Sequence, residues 1–345
     1  MLKMPAEWEA HEATWLAWPH NPETWPGRLK FIPQVWIQMI KALHVHETVH
    51  LLVNDTEMEK GVQLRLQRAD IDLTKVRFHK IPTNDCWLRD SGPTFVRTVS
   101  DLSDRSDSSD KKIAAVCWIF NSWGEKWPPW NLDQEVSRRV VQSIGLSGLE
   151  PGIVLEGGSI EVNGEGVLLT TESCLLKRNS HLRKEDIEKH LISFLGVKKI
   201  IWLTGSPPQG DDTDGHIDNL ARFVSSGTIV APLSKDSSDP DHLSQAENLE
   251  ALKKGTALSG KSFSVIPLPS PRVLGPDQRK LPASYANFYI ANGVVLLPVF
   301  HVPEDEEAIR ILKPHFPKRR IVPIDVRDLV IGFGGIHCVT QQQPA

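Results

Sequence analysis

The feature that most restricts the folds open to this sequence is a recurrence. A short apolar run, a polar loop, an amphipathic helix and a second apolar run follow one another five times at similar length. The first copy runs ATWLAWP, a helix near Ile32 to Leu43, then TVHLLV. The second is IAAVCWIF, a helix over Glu135 to Ile144, then GIVLEG. The third is GVLLTT, Lys184 to Phe194, KKIIWL; the fourth GTIVAPL, Leu243 to Lys254, FSVIPL; the fifth GVVLLPV, Glu304 to Pro314, RRIVPI. Each helix can bury one face, and its flanking runs, apolar on both sides, read as interior strands. The class is therefore α/β. Periodicity alone fits either one open sheet or a repeated scaffold. Charged clusters after several return strands, at equivalent ends of the units, point to a scaffold that gathers its loops around one site.

Bulk properties narrow the function. The chain has 345 residues, 40% apolar and 24% charged, enough for one large domain or two ordinary ones. Net charge is -4, and Lys and Arg form no stripe, which argues against a nucleic-acid partner and for a small or cationic ligand. The opening MLKMPAEWEAHE lacks a signal-peptide pattern, and no apolar stretch approaches the roughly 18 residues of a membrane span, so no membrane association and a cytoplasmic location are expected. The four cysteines, Cys86, Cys117, Cys174 and Cys338, show no CxxC spacing, which disfavours a disulfide framework or a thiolate zinc site. The stretch from Asp101 to Lys112 reads as a solvated hairpin or loop without chemistry.

Three segments carry candidate chemistry. GFGGIHCVTQQQP puts three glycines just before Cys338, with seven residues after it; a lone cysteine is usually a small buried hydrophobe, so its meaning depends on the other segments. GDDTDGHIDNL places His216 and Asp218 two apart, so that on a strand both side chains share a face. Asp211, Asp212, Asp214 and Asp218 would repel one another without a cation nearby. NDCWLRDSGP offers Asp90 as a ligand for that cation, while Arg89 suits a structural ion pair. In LEGGS, Glu156 either caps a loop or faces a pocket. A planar guanidinium explains these pieces together. Carboxylates grip it through paired hydrogen bonds and leave its central carbon open to a thiolate, with His216 serving as acid and then base.

Beyond these local readings, the sequence resembles the agmatine deiminase and bacterial-type peptidylarginine deiminase family of the guanidino-group-modifying superfamily. The resemblance rests on MPAEWEAHEATWLAWP, CWLRDSGPTF, FNSWG, LEGGSIEVNGEGVLLTTESCLL, DGHIDN, YANFYIANGVVLLPVF and GGIHCVTQQQP, spread over nearly the whole chain. It implies a five-bladed α/β propeller (pentein) of ββαβ units with pseudo-fivefold symmetry, as a single catalytic domain over residues 1–345. It implies Cys338 as nucleophile, His216 as catalytic histidine, and Asp218 and Asp90 as guanidinium ligands. Asp85, Trp87, Glu156, Trp123 and Asp214 are placed in or beside the pocket as substrate-binding candidates. No metal or other cofactor is implied. Agmatine is the expected substrate, converted to N-carbamoylputrescine and ammonia in putrescine synthesis, with peptidylarginine or free arginine as the alternative and a homodimer as the expected assembly. Two positions depart from the family pattern: Phe333 interrupts the usual glycine run, and Asp214 stands where many agmatine deiminases have asparagine.

Two other function classes need weighing. A cysteine amidase would also use Cys338 and His216, but would need an oxyanion hole rather than paired acids. A metal-binding module could be suspected from His44, His46 and His50 in HVHETVH, although no acid or cysteine at ligand spacing accompanies them.

Overall fold

The computed structural model describes residues 1–98, 113–204 and 206–345. The stretch read as a solvated loop, Asp101 to Lys112, lies outside the described residues. Among the described residues the strands form five separate sheets rather than a single open α/β sheet. All five share one plan. A central strand pairs antiparallel with one neighbour and parallel with a return strand. The central strands are His11–Ala17, Ile113–Val116, Val167–Thr171, Thr228–Leu233 and Val294–Val299. A helix separates each from its return strand: Ile32–Leu43, Val136–Ser143, Lys184–Leu195, His242–Lys254 and Glu304–Leu312. A parallel pair needs such a crossover, which is why the strand-helix-strand pattern recurs.

The periodicity shows how the helices bury themselves. In Ile32–Leu43, Pro33 stands in the first turn, where its missing N–H costs nothing, and Ile32, Val35, Trp36, Met39, Ile40 and Leu43 are all buried. Helix Lys184–Leu195 stops at Gly196, left-handed at φ 67, whose Cβ position would lie 1.8 Å from the Leu2 carbonyl oxygen. Only glycine fits that junction.

One unit differs from the sequence reading. GIVLEG was expected to be the second return strand, but that strand is Gly148–Leu149, and Val154 makes only an isolated parallel bridge to Ile119. Pro151 has no donor for a ladder, and Gly152 is left-handed at φ 77, so the strand breaks between the two contacts. The first sheet has a different peculiarity. Its antiparallel partner comes from the other end of the chain: Gln341–Pro344 pairs with His11–Ala17, Gln341 opposite Trp15. That pairing carries the cysteine three residues earlier into the middle of the molecule.

Candidate active site

Cys338 sits in a short 3-10 turn, His337–Val339, and is only 4% exposed. Two glycines let this turn approach its neighbours: a Cβ on Gly334 would lie 2.3 Å from the Trp87 ring, and one on Gly335 would lie 2.4 Å from Asn287 Oδ1. Asn287 fixes the turn from the other side. It accepts from the His337 backbone N–H at 2.9 Å, and its Nδ2 lies 3.2 Å from Cys338 Sγ.

Asp90 belongs to the helical turn Leu88–Ser91 and is buried. Its Oδ1 accepts from the Gly158 N–H and its Oδ2 from the Trp123 indole N–H, both at 2.9 Å. His216 and Asp218 lie on a short helix, Ile217–Leu220, with His216 at its N-cap, and not on a strand, where their spacing would have shared a face. Asn219 and Ala221 N–H groups close this turn onto His216 and Ile217 carbonyls, which extended backbone would leave open. Both side chains nonetheless converge on one point. A Cβ on Gly158 would meet His216 Nδ1 at 2.6 Å, Asp90 Oδ1 at 2.9 Å and Asp218 Oδ2 at 3.0 Å. Glycine at position 158 is therefore what allows Asp90, from one segment, to gather with His216 and Asp218 from another.

Their hydrogen bonding is uneven. Asp218 Oδ2 bonds His337 Nδ1 at 2.8 Å and lies 3.7 Å from Cys338 Sγ; His337 Nε2 reaches Glu7 Oε2 at 2.9 Å. Asp218 Oδ1 and both ring nitrogens of His216 are buried without a hydrogen-bond partner among the described residues. Buried polar atoms are seldom left so, and a clustered set of them marks where a polar ligand would bond. His216 Nδ1 is 3.8 Å from Asp90 Oδ1, and its Nε2 is 3.6 Å from Glu156 Oε2, contacts of ion-pair length.

The protonation balance follows from burial and these neighbours. Burial pushes the Cys338 thiol well above the usual range, and the Asp218 and Asp90 carboxylates push it further. Burial also raises Asp90, with Asp218 and Glu156 adding to the effect. For His216 burial opposes the charge, but Asp90, Cys174 and Glu156 outweigh it and hold the imidazole well above its ordinary value. For Asp218 burial is likewise outweighed, here by His337, which holds the carboxyl low.

A cavity of about 350 Å³ opens from Cys338 and Asp90 toward solvent. Trp87, Trp123 and Asp85 line it, together with Asp133, Trp127 and Phe333. It stops short of His216 and Asp218, which are buried directly behind. Asp85 accepts from Thr24 and Asn21 side chains and the Cys86 N–H, and burial raises its pKa. Burial raises Asp133 to about 7.

Two expected substrate ligands stand elsewhere. Glu156 is fully buried and bonded to Arg178 Nε at 2.6 Å, so it neither caps a loop by its side chain nor faces the pocket; it backs His216. Asp214 is a hub for Lys126 at 2.9 Å, Lys177 at 2.7 Å and Arg178 at 2.6 Å, and does not line the cavity. The cation expected near the acid-rich segment is thus supplied in part by the protein itself. Arg89 is where its ion-pair reading put it, 3.6 Å from Glu7. Glu156, Cys174 and His216 offer donor atoms within 4.8 Å of one another, but Arg178 already occupies one Glu156 oxygen. In HVHETVH, His44 bonds the Ile40 carbonyl and His50 bonds His79 at 2.8 Å against Trp15, which are structural duties.

Comparison with known proteins decides the family. A model of the Porphyromonas-type peptidyl-arginine deiminase family matches residues 3–344. The chain belongs to this family. Curated relatives include the agmatine deiminase of Medicago truncatula, 37% identical over 99% of this chain and 96% of its own length, and that of Pseudomonas aeruginosa, 36% identical over 100% and 96%. Among solved structures, a cysteine-to-serine agmatine deiminase of C. jejuni with substrate bound superposes with a TM-score of 0.87 at 32% identity, covering 100% of this chain and 97% of that one. A cyanobacterial arginine dihydrolase, TM-score 0.51 at 10% identity over 97% of this chain and 39% of that one, shares the fold alone.

Sequence reasoning missed Asn287, His337 and Glu7, although each lies in a motif that carried the resemblance. His337 is adjacent to Cys338, and a histidine beside a nucleophile could have been weighed as its partner's support. Asp133 and Trp127 have no comparable sequence signal, since they reach the cavity only through the loop that follows FNSWG.

Proposed function

We propose that this chain is an agmatine deiminase. The observation that carries the proposal is the composition of the cavity wall: Cys338 and Asp90 at the inner end, Asp85, Asp133 and Asp212 beyond, and among the described residues neither lysine nor arginine. Arginine or a C-terminal arginine peptide would bring a carboxylate that needs a cationic partner. A guanidine ending in an amine brings a second positive charge, which carboxylates favour. The relatives named agmatine deiminase, alike over 99% of the chain, support the same reading.

Asp90 and the unpartnered oxygen of Asp218 hold the guanidinium through its N–H groups. Its positive charge offsets the two carboxylates that keep the Cys338 thiol protonated, so substrate binding itself favours the thiolate. Sγ attacks the guanidinium carbon, and His216 gives a proton to the departing nitrogen, which leaves as ammonia. The resulting amidino-thioester is attacked by water, whose proton returns to His216. The C–S bond then breaks, freeing the thiolate and N-carbamoylputrescine, a precursor of putrescine. Asn287, Glu156 and His337 keep Cys338, His216 and Asp218 in place. The same reading takes residues 1–345 as one catalytic domain whose five units close around this site as a pentein propeller.

Ammonia release from agmatine, free arginine and an arginine peptide, measured side by side with Cys338→Ala, tests the proposal. Agmatine should be preferred, and Cys338→Ala should lose at least about 10⁴-fold in kcat without a lower melting temperature. Faster release from arginine or the peptide would move the substrate; turnover by Cys338→Ala would end the covalent scheme.

A further inference from the structure

The glycine segment before the nucleophile carries one side chain that its backbone does not favour. Gly332 and its neighbours are glycines for a steric reason, since a Cβ there would lie 2.7 Å from Trp25 Nε1 at 332 and 2.3 Å from Trp87 at 334. Phe333 between them is left-handed at φ 68, where glycine rests freely and a bulky residue is strained. The strain is not offset in the core, because Phe333 is only partly buried and belongs to none of the apolar clusters. Its ring lines the cavity instead, and stacks on Trp127 with centroids 6.4 Å apart and planes at 21°.

Trp127 is held in place as well. It is 53% exposed, yet its indole N–H bonds the Asp212 carboxylate, and the preceding Lys126 is tied to Asp214 at 2.9 Å. It follows four consecutive left-handed residues, Ser122 to Glu125, at φ 55, 55, 88 and 66. Two segments with left-handed backbone, distant in sequence, thus bring one aromatic ring each to the cavity wall.

We infer that Phe333, together with Trp127, is a specificity-determining residue. The paired rings roof the outer part of the cavity, admitting a guanidine on an unbranched aminoalkyl chain and rejecting one branched at the carbon that bears a peptide or carboxyl group. The inference rests on the deiminase reading and concerns the outer part of the same site.

The test compares kcat/KM for agmatine and for N-acetyl-arginine amide, a branched guanidine without a free carboxylate, in the wild type, Phe333→Gly, Trp127→Ala and the double variant. Phe333→Gly should shift the ratio toward the branched compound by about 10-fold or more, with Trp127→Ala similar. The double variant should shift it no further than either alone, because the two rings act as one roof. Phe333→Leu, which keeps a side chain at the strained position, should retain part of the discrimination. An unchanged ratio, or an equal fall for both compounds, would overturn the inference, the latter showing that Phe333 only supports the Cys338 turn. If the wild type turns over neither compound, the deiminase reading has failed. Calorimetric binding of the same two compounds to wild type and Phe333→Gly then decides the roof separately: a shifted affinity ratio supports it and an unshifted one overturns it.

Discussion

Asp90 and Asp218 lie close to Glu156 and Asp214, but the two pairs are compensated in opposite ways. Glu156 and Asp214 share Arg178, and Asp214 adds Lys126 and Lys177. Asp90 receives neutral N–H donors and has His216 at 3.8 Å without a hydrogen bond, while Asp218 Oδ2 is shared by His337 and the Cys338 thiol and its Oδ1 is left unpartnered among the described residues. A carboxylate surrounded by the protein's own cations is finished; one without them can take a foreign cation. An acid-rich stretch therefore identifies a binding site only after its internal partners have been subtracted.

The contrast breaks most visibly at Asp218. Asp218→Asn should lower kcat/KM for agmatine by about 10²–10³-fold, a far larger effect than the loss of its 2.8 Å bond to His337 has on the melting temperature. A loss of less than 10-fold, roughly 1.4 kcal/mol, would put Asp218 on the structural side of the comparison.

The second expectation concerns pH. In the free enzyme, burial and then the Asp218 and Asp90 charges hold the Cys338 thiol high, so kcat/KM should rise with pH as the thiol loses its proton. In the complex the guanidinium offsets those charges. The acid limb of kcat should therefore lie at lower pH than that of kcat/KM. Coincident limbs in steady-state profiles would show that the substrate does not neutralise the pair.

Asp214 sharpens the other half. Its carboxyl is held below the ordinary range: burial opposes ionisation, but hydrogen bonds from Lys177, Arg178 and Lys126 outweigh it. A depressed carboxylate contributes stability above its unfolded pKa and loses it as pH falls toward the folded value. Asp214→Asn should thus lower the melting temperature at pH 7 by roughly 1–4 °C, for about 1–3 kcal/mol after allowance for partial exposure, and the deficit should shrink below about pH 4. Agmatine turnover should change far less than in Asp218→Asn. A larger catalytic than thermal effect would return Asp214 to the substrate-binding set.

Much of this was legible in the sequence, for reasons that also explain the rest. Helix Ile32–Leu43 could be read at its observed bounds because one apolar face is buried throughout and Pro33 fixes the start. GIVLEG is apolar enough for a return strand, but the break at Pro151 and Gly152 leaves that strand at Gly148–Leu149. The spacing of His216 and Asp218 would share a face on a strand, yet a single helical turn anchored over Gly158 brings the two together equally well. Cys338, His216, Asp218 and Asp90 carry unusual chemistry in distinctive motifs and could be singled out. Asp133, Trp127 and the Arg178 hub depend on contacts between distant segments, such as Arg178 with Asp214, which no local pattern encodes.

The pairing of Gln341–Pro344 with His11–Ala17 has a consequence for synthesis. Trp15 waits for Gln341, so the first sheet is left with an open edge while nearly the whole chain is translated, roughly 15–70 s at ordinary elongation rates. The strand that caps this edge lies immediately beyond the turn that holds Cys338. Sealing the sheet and seating Cys338 among Asp90, Asp218 and Asn287 are consequently one event, and a nascent or prematurely ended polypeptide would have neither.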